Sequence, residues 1–166
     1  MKVAKLWRFP GYREELNGTA LVNDVVMFKL QQAVAITNDV IPIKLVVDDK
    51  PLTSSSDLAI SGWGQTDNEG TQTNRLLAAT VDHLPNGCKN YGKRFHPKVM
   101  LCAGCTGGRV DTCHGDSGGP ATTSSSSKGC PILVGITSFG DGCALPGYPG
   151  LYTRVGAFVD WLEKQA

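Results

Sequence analysis

Apolar residues in this chain come in short runs, each cut off within a few positions by Gly, Pro, Asn or Asp. Leu58 to Trp63, Leu76 to Val81, Val99 to Cys102, Ile132 to Phe139 and Gly150 to Val155 are such runs, rich in β-branched and aromatic residues. A chain patterned this way cannot lay down a helical bundle, because no run lasts long enough to bury a helix face; short strands joined by tight turns remain. The count of 20 Gly and 9 Pro supplies the turn chemistry, and five or six such strands suit a small closed barrel. Only the end of the chain changes period. Val155, Phe158, Val159 and Leu162 recur at helical spacing, which predicts an amphipathic helix over Gly156 to Gln165 packed on the barrel.

The first third is organised differently. Val3 to Phe9 reads as a strand, Pro10-Gly11 as a turn, and Asn17-Gly18-Thr19 as a loop that also forms a glycosylation sequon. Val25 to Leu30 is apolar on both parities except for Lys29, the pattern of a strand buried on both faces, so Asp24 borders a core. From Ala33 to Ser56 come isolated apolar pairs, Pro42 and the polar tract 53–56, as in an extended connector. A boundary near residue 45 divides residues 1–44 from residues 45–166. Ser124 to Ser127 is expected to form a surface hairpin tip.

With 166 residues the chain can bury a core without cross-links. Its 16 Lys and Arg against 15 Asp and Glu are dispersed, so neither nucleic acid nor an anionic membrane is implied as a partner. No stretch of eighteen apolar residues occurs, and the first ten residues lack the apolar centre of a secretion signal. Six cysteines form an even set, compatible with disulfides and an extracellular, secreted protein.

The chemistry concentrates in Asp111-Thr112-Cys113-His114-Gly115-Asp116-Ser117-Gly118-Gly119-Pro120. An acyl-transfer nucleophile has to project from a turn whose amides also converge on the oxygen that becomes negative, and glycine permits the required angles and close approach. Ser117 is the candidate nucleophile, with the amides of Gly115 and Ser117 as the oxyanion donors. A glycine-rich hairpin with an incidental serine is the bland alternative, and the length of the string disfavours it.

Gly-Asp-Ser-Gly-Gly-Pro around Ser117 resembles the active-serine signature of the chymotrypsin and trypsin family of serine endopeptidases. Further landmarks fall in that family's order: Asn23-Asp24-Val25-Val26-Met27-Phe28, Ser61-Gly62-Trp63-Gly64, Leu101-Cys102-Ala103-Gly104, Ile136-Thr137-Ser138-Phe139-Gly140 and Pro149-Gly150-Leu151-Tyr152. The resemblance implies an all-β fold, with a complete second antiparallel barrel, a remnant of the first and a C-terminal helix. It implies proteolysis through an acyl-enzyme on Ser117, with Asp24 orienting a histidine. By the same resemblance Asp111 lies at the base of a pocket for Arg or Lys side chains, and Gly140 and Gly150 leave room for them. Ser138, Phe139 and Gly140 would pair with substrate backbone, and Asp116 would pair with a freshly cut N-terminal ammonium. Disulfides Cys88–Cys102 and Cys113–Cys143 follow, whereas a bridge between Cys105 and Cys130 stays open. Partners would be protein or peptide substrates with Arg or Lys at the cleavage site, and protein inhibitors; no cofactor and no metal are called for.

One part of the pattern is missing. The family's base precedes its aspartate, yet His83, His96 and His114 all follow Asp24. Without a base the hydroxyl is not activated, so a chain lacking it is expected to be nearly inert. Truncation of a longer protease explains the absence, and a non-catalytic homologue acting as a protein-binding module is the competing explanation. A metal or redox site at Cys102-Ala103-Gly104-Cys105 is a weaker one, since a second such pair is absent. A barrel remnant would also leave apolar surface near Val25 to Leu30 uncovered, which predicts self-association or low solubility.

Overall fold

The computed structural model describes residues 1–47, 52–53, 56–123 and 130–166. The Ser124 to Ser127 tip and part of the 53–56 tract lie outside the described residues. Along the chain run β1 (Val3–Arg8), β2 (Arg13–Glu15), β3 (Ala20–Val22), β4 (Val26–Leu30), β5 (Lys44–Leu45), β6 (Asp57–Gly62), β7 (Leu77–His83), β8 (Met100–Gly104), β9 (Pro120–Thr123), β10 (Ile132–Phe139), β11 (Gly150–Arg154) and α1 (Val159–Gln165). Two short 3-10 segments, Lys89–Arg94 and Val155–Ala157, complete the regular structure.

Strands β6 to β11 close on themselves. The order β11-β8-β7-β6-β9-β10 is antiparallel throughout, and β10 pairs back with β11, so the sheet has no free edge apart from β5, which adds in parallel beside β10. Closure removes the exposed ladder that an open sheet would present. Alternation along the strands sends Leu58, Ile60, Val81, Leu101, Ala103, Ala121, Val134 and Tyr152 into the interior. Gly135 is where the barrel is tightest: a Cβ there would stand 3.2 Å from Ala121, Leu101 and Tyr152 atoms.

All five residues of β8 are buried, because the strand is covered on both faces. Leu101 and Ala103 face the barrel interior, while Cys102 joins Cys88, Tyr91 and Leu151 in a second apolar cluster on the outside. Phe139 and Tyr148 pack on that outer cluster, which fixes the end of β10 against the 3-10 segment Lys89–Arg94.

The segment read as a helix from Gly156 begins instead as the 3-10 turn Val155–Ala157, with α1 starting at Val159. Its apolar stripe is used as expected: Val155, Phe158 and Val159 are buried. Phe9 meets the edges of Phe158 and Trp161 at 5.0 and 5.3 Å between centroids, tying the first strand region to the C-terminal helix.

The reading of Val25 to Leu30 as a strand buried on both faces is corrected. β4 pairs only with β1 in a two-stranded ribbon, and Val26 and Phe28 are 43% and 55% exposed. Leu6, the register partner of Phe28, is 60% exposed. A two-stranded ribbon has no further strand to cover this face. The glycosylation sequon sits on the exposed turn between β2 and β3, where Leu16 and Asn17 adopt positive φ.

Candidate active site

The stretch from Asp111 to Pro120 forms a succession of tight turns at the mouth of the barrel, before β9. Gly115 and Gly118 have φ of +97° and +79°, a region that side chains disfavour. The turn is stitched to β10: Gly118 N–H donates to Thr137 O and Thr137 N–H to Gly119 O, each at 2.9 Å. A Cβ on Gly119 would fall 2.7 Å from Asp116 O. The backbone approach that aims the serine therefore needs glycine there. Ser117 is exposed at the apex, and the N–H groups of Gly115 and Ser117 donate to no other described group.

Asp111 and Ser117 open into one cavity of about 150 Å³, whose walls also include Ser138, Phe139, Gly140 and Gly150. Asp111 is largely withdrawn from water. Burial pushes its carboxyl up to about 6, against the pull of main-chain N–H groups of Ala144, Thr112 and Gly150. Thr112 N–H donates to Oδ1 at 2.8 Å and Ala144 N–H to Oδ2 at 3.2 Å. No ion pair to Asp111 occurs among the described residues. A sunken carboxylate that meets amides but no cation among the described residues keeps its charge uncompensated when ionised. Gly150 keeps the base of the cavity open, since a Cβ would sit 2.7 Å from Asp111 Oδ1.

Asp24 reaches the same wall from the other side. Its Oδ2 accepts from Ser138 Oγ at 2.7 Å, and its main-chain oxygen accepts from Thr153 Oγ1 at 2.6 Å. The disulfide Cys113–Cys143 braces the cavity, and Cys88–Cys102 pins the outer cluster. Cys105 and Cys130 are free thiols, so the third bridge left open by the sequence does not form here. Because Cys102 is bonded to Cys88, Cys102 and Cys105 are not a dithiol pair either.

Asp116 points away from the cavity. Its Oδ1 accepts from Gly64 N–H at 2.8 Å and its Oδ2 from Cys113 N–H at 2.9 Å. A Cβ on Gly62 would lie 1.9 Å from Asp116 Oδ1, so Ser61-Gly62-Trp63-Gly64 is glycine-rich in order to seat this carboxylate. Asp116 also lines a larger, neighbouring cavity of about 480 Å³.

The histidines are dispersed. His83 is buried, 5% exposed, with Nδ1 bonded to Thr53 O at 2.8 Å. His96 Nε2 pairs with Glu15 Oε2 at 2.9 Å, joining the β2–β3 hairpin to the barrel, and Arg13 holds the other oxygen of Glu15. His114 is exposed on the wall of the Ser117 cavity. None of the three is hydrogen-bonded to Ser117 or Asp24.

Several supporting residues had no signature in the sequence. Thr112 Oγ1 bonds the hydroxyl of buried Tyr152 at 3.1 Å. Tyr91 donates to Pro149 O at 3.0 Å and accepts from Asp141 N–H at 3.1 Å. Arg94 forms a bidentate pair with Asp141, between the cavity-lining residues Gly140 and Gly142, which holds the Asp141 carboxyl below its usual range. Their partners lie about 40 to 58 positions away in sequence, beyond any local pattern.

A protein-family model described as Trypsin matches residues 1–162. The chain is 39% identical over 166 residues to the trypsin of Saccharopolyspora erythraea, covering 99% of this chain and 67% of that one. It is 37% identical over 155 residues to trypsin-1 of Astacus astacus, covering 92% and 64%. It is 38% identical over 146 residues to serine protease 56 of Homo sapiens, covering 86% and 24%. The chain thus spans between about a quarter and two thirds of the length of these curated relatives. A six-stranded closed barrel with a C-terminal helix, a serine presented on a glycine turn and a family match over almost every residue agree: the chain belongs to the trypsin family of serine proteases.

Proposed function

We propose that this chain is the nucleophile-bearing part of a secreted endopeptidase that cleaves after Arg or Lys. The observation that carries the reading is the single cavity shared by Ser117 and the half-buried carboxylate of Asp111. A guanidinium or ammonium entering the cavity would offset the cost of burying Asp111, and would leave the following carbonyl carbon beside Ser117 Oγ. The oxygen of that carbonyl would collect the free N–H groups of Gly115 and Ser117 as negative charge develops. Substrate backbone would lie along Ser138, Phe139 and Gly140.

In the acylation step Ser117 Oγ bonds to the carbonyl carbon and its proton passes to a base; the C–N bond breaks as that proton is given to the departing amine, and water, deprotonated by the same base, then attacks the ester carbon, releasing the acid and returning the proton to Ser117 Oγ. Asp24 is assigned to orient the base, which is a histidine from outside residues 1–166. Asp116 is assigned to receive a chain-terminal ammonium. Residues 1–44 are assigned to the remnant of a first barrel and a connector, and residues 45–166 to the second barrel with its helix. Two disulfides support the secreted location. Protein inhibitors that present Arg or Lys would use the same cavity.

The test is a version extended upstream, assayed on Arg and Lys esters with a serine-directed phosphonylating probe. Ester hydrolysis and labelling at Ser117 are expected, and labelling that spares Ser117 in a folded extended form overturns the enzyme reading. A second reading, a peptide-binding homologue without catalysis, draws support from the three histidines, none of which bonds Ser117 or Asp24. Genomic sequence upstream of Met1 separates them: a Thr-Ala-Ala-His-Cys-like segment favours the enzyme, and its absence from a complete transcript favours the binding module.

A further inference from the structure

Between the end of β10 at Phe139 and the start of β11 at Gly150 the cavity wall pairs with no strand among the described residues, and its Leu145–Tyr148 bridge is internal to it. Three residues there have positive φ, Gly142 at +69°, Ala144 at +54° and Gly147 at +81°, and of these only Ala144 carries a side chain. An alanine in the left-handed region is strained and persists only where its surroundings hold it. The disulfide Cys113–Cys143 is one restraint.

Asn68 is another. Its Oδ1 accepts from Cys143 N–H at 2.7 Å and its Nδ2 donates to Cys143 O at 2.8 Å. One carboxamide thus grips both main-chain groups of one wall residue, as a neighbouring strand would. The carbonyl it holds belongs to the same peptide unit as Ala144 N–H, which donates to Asp111 Oδ2 at 3.2 Å. A peptide unit is planar, so orienting its oxygen orients its N–H.

We infer that Asn68 is a positioning residue for the Asp111 cavity: it sets the Cys143–Ala144 peptide so that Ala144 N–H meets the carboxylate, and so tunes the affinity for a basic side chain. The inference rests on the reading of Asp111 as the receptor of that side chain. Ala144 N–H is foremost among the amides that oppose the effect of burial on Asp111. Releasing it therefore moves protonation of Asp111 to higher pH. The other charged or titratable groups around Asp111 are Asp116 on the same loop, Tyr91 and Tyr152, both held protonated well above neutrality, His114 on the cavity wall, and Arg109 on the wall of the neighbouring cavity. All are unchanged between native and Asn68 variants.

The test uses the full chain and benzamidine, a flat monocation, titrated calorimetrically across acid to neutral pH, with circular dichroism confirming that each protein is folded. Native protein is expected to bind, with affinity falling as pH drops through about 6. Asn68→Ala is expected to bind about tenfold more weakly at neutral pH, the worth of one or two hydrogen bonds, with its midpoint moved to higher pH. Asn68→Asp keeps the shape but sets an oxygen against Cys143 O, and is expected to lose affinity to the same degree; it carries the test if the alanine variant does not fold. Native affinity with a native midpoint in a folded Asn68 variant overturns the inference. So does a weakened variant whose midpoint is unmoved, since general loosening would do that. If native protein fails to bind, or Asp111→Asn binds as well as native, the reading of Asp111 falls and the inference with it.

Discussion

A methyl group on Gly150 would stand 2.7 Å from Asp111 Oδ1 and 3.1 Å from Tyr152 Cε2, separations too short to relax without moving the carboxylate. Gly150→Ala is therefore expected to lower benzamidine affinity at least tenfold while leaving the circular dichroism spectrum intact, and unchanged affinity would show that Gly150 is not the floor of the site. Asp111 makes a second prediction. Its folded value, raised by burial to about 6, lies above the ordinary 3.8, so the neutral form suits the fold. The resulting contribution is complete below about pH 4 and disappears as pH rises through about 6. Above that, the ionised carboxylate destabilises the chain. Asp111→Asn should raise stability at pH 8 by on the order of 2 kcal/mol, and by nothing near pH 3.5, in urea titrations at the two pH values. An effect of opposite sign at pH 8 would place an unsuspected cation beside Asp111. Ser117 and Gly115 could be named as candidates from the chemistry of their glycine turn, and Asp111 and Asp116 through the family resemblance, because all four sit within seven consecutive residues. Asn68, Tyr91 and Arg94 were not, because a polar residue gives no sign of which distant main-chain group it will meet.

At the level of elements, two loops carry the site, and both are closed covalently. The Cys113–Cys143 bridge spans 30 residues; replacing both cysteines by alanine is expected to cost about 3 to 4 kcal/mol and to weaken cation binding together with it. Cys105 and Cys130 being free, thiol titration of the unreduced, denatured chain should count two reactive groups. Six would remove both bridges, and none would restore the third. The barrel strands were readable where alternation or an apolar run met turn residues, as in β6, β7, β8, β10 and β11. β9 was hidden inside the site motif, because Pro120-Ala121-Thr122-Thr123 has one interior side chain, Ala121, and no run to announce it. β2 and β3 escaped for a similar reason. Arg13-Glu14-Glu15 looks like a polar loop, and its ladder with Ala20–Val22 exists because Asn17 and Gly18 accept positive φ. The beginning of the final helix was misplaced by the turn at Val155–Ala157, which shares the helix's apolar stripe.

For the molecule as a whole, the asymmetry of burial is the dominant fact. The barrel is sealed, but the β1–β4 ribbon presents Leu6, Val26 and Phe28 to solvent on an open two-stranded sheet. Such a face favours contact with another apolar surface. Sedimentation velocity should show concentration-dependent association that Phe28→Ser diminishes; a monodisperse monomer at every concentration would contradict this. Family and fold class were legible in the sequence, the family through its resemblance to a set of short contiguous motifs and the fold through the period of its strands, and Ser117 and Asp111 were named there as candidates for the same reason. The meeting of Asp24 with Ser138, the grip of Asn68 on Cys143 and the free state of Cys105 and Cys130 were decided only by tertiary structure. All of them depend on which distant segments share space, and that is settled by closure of the barrel rather than by any local preference of the chain.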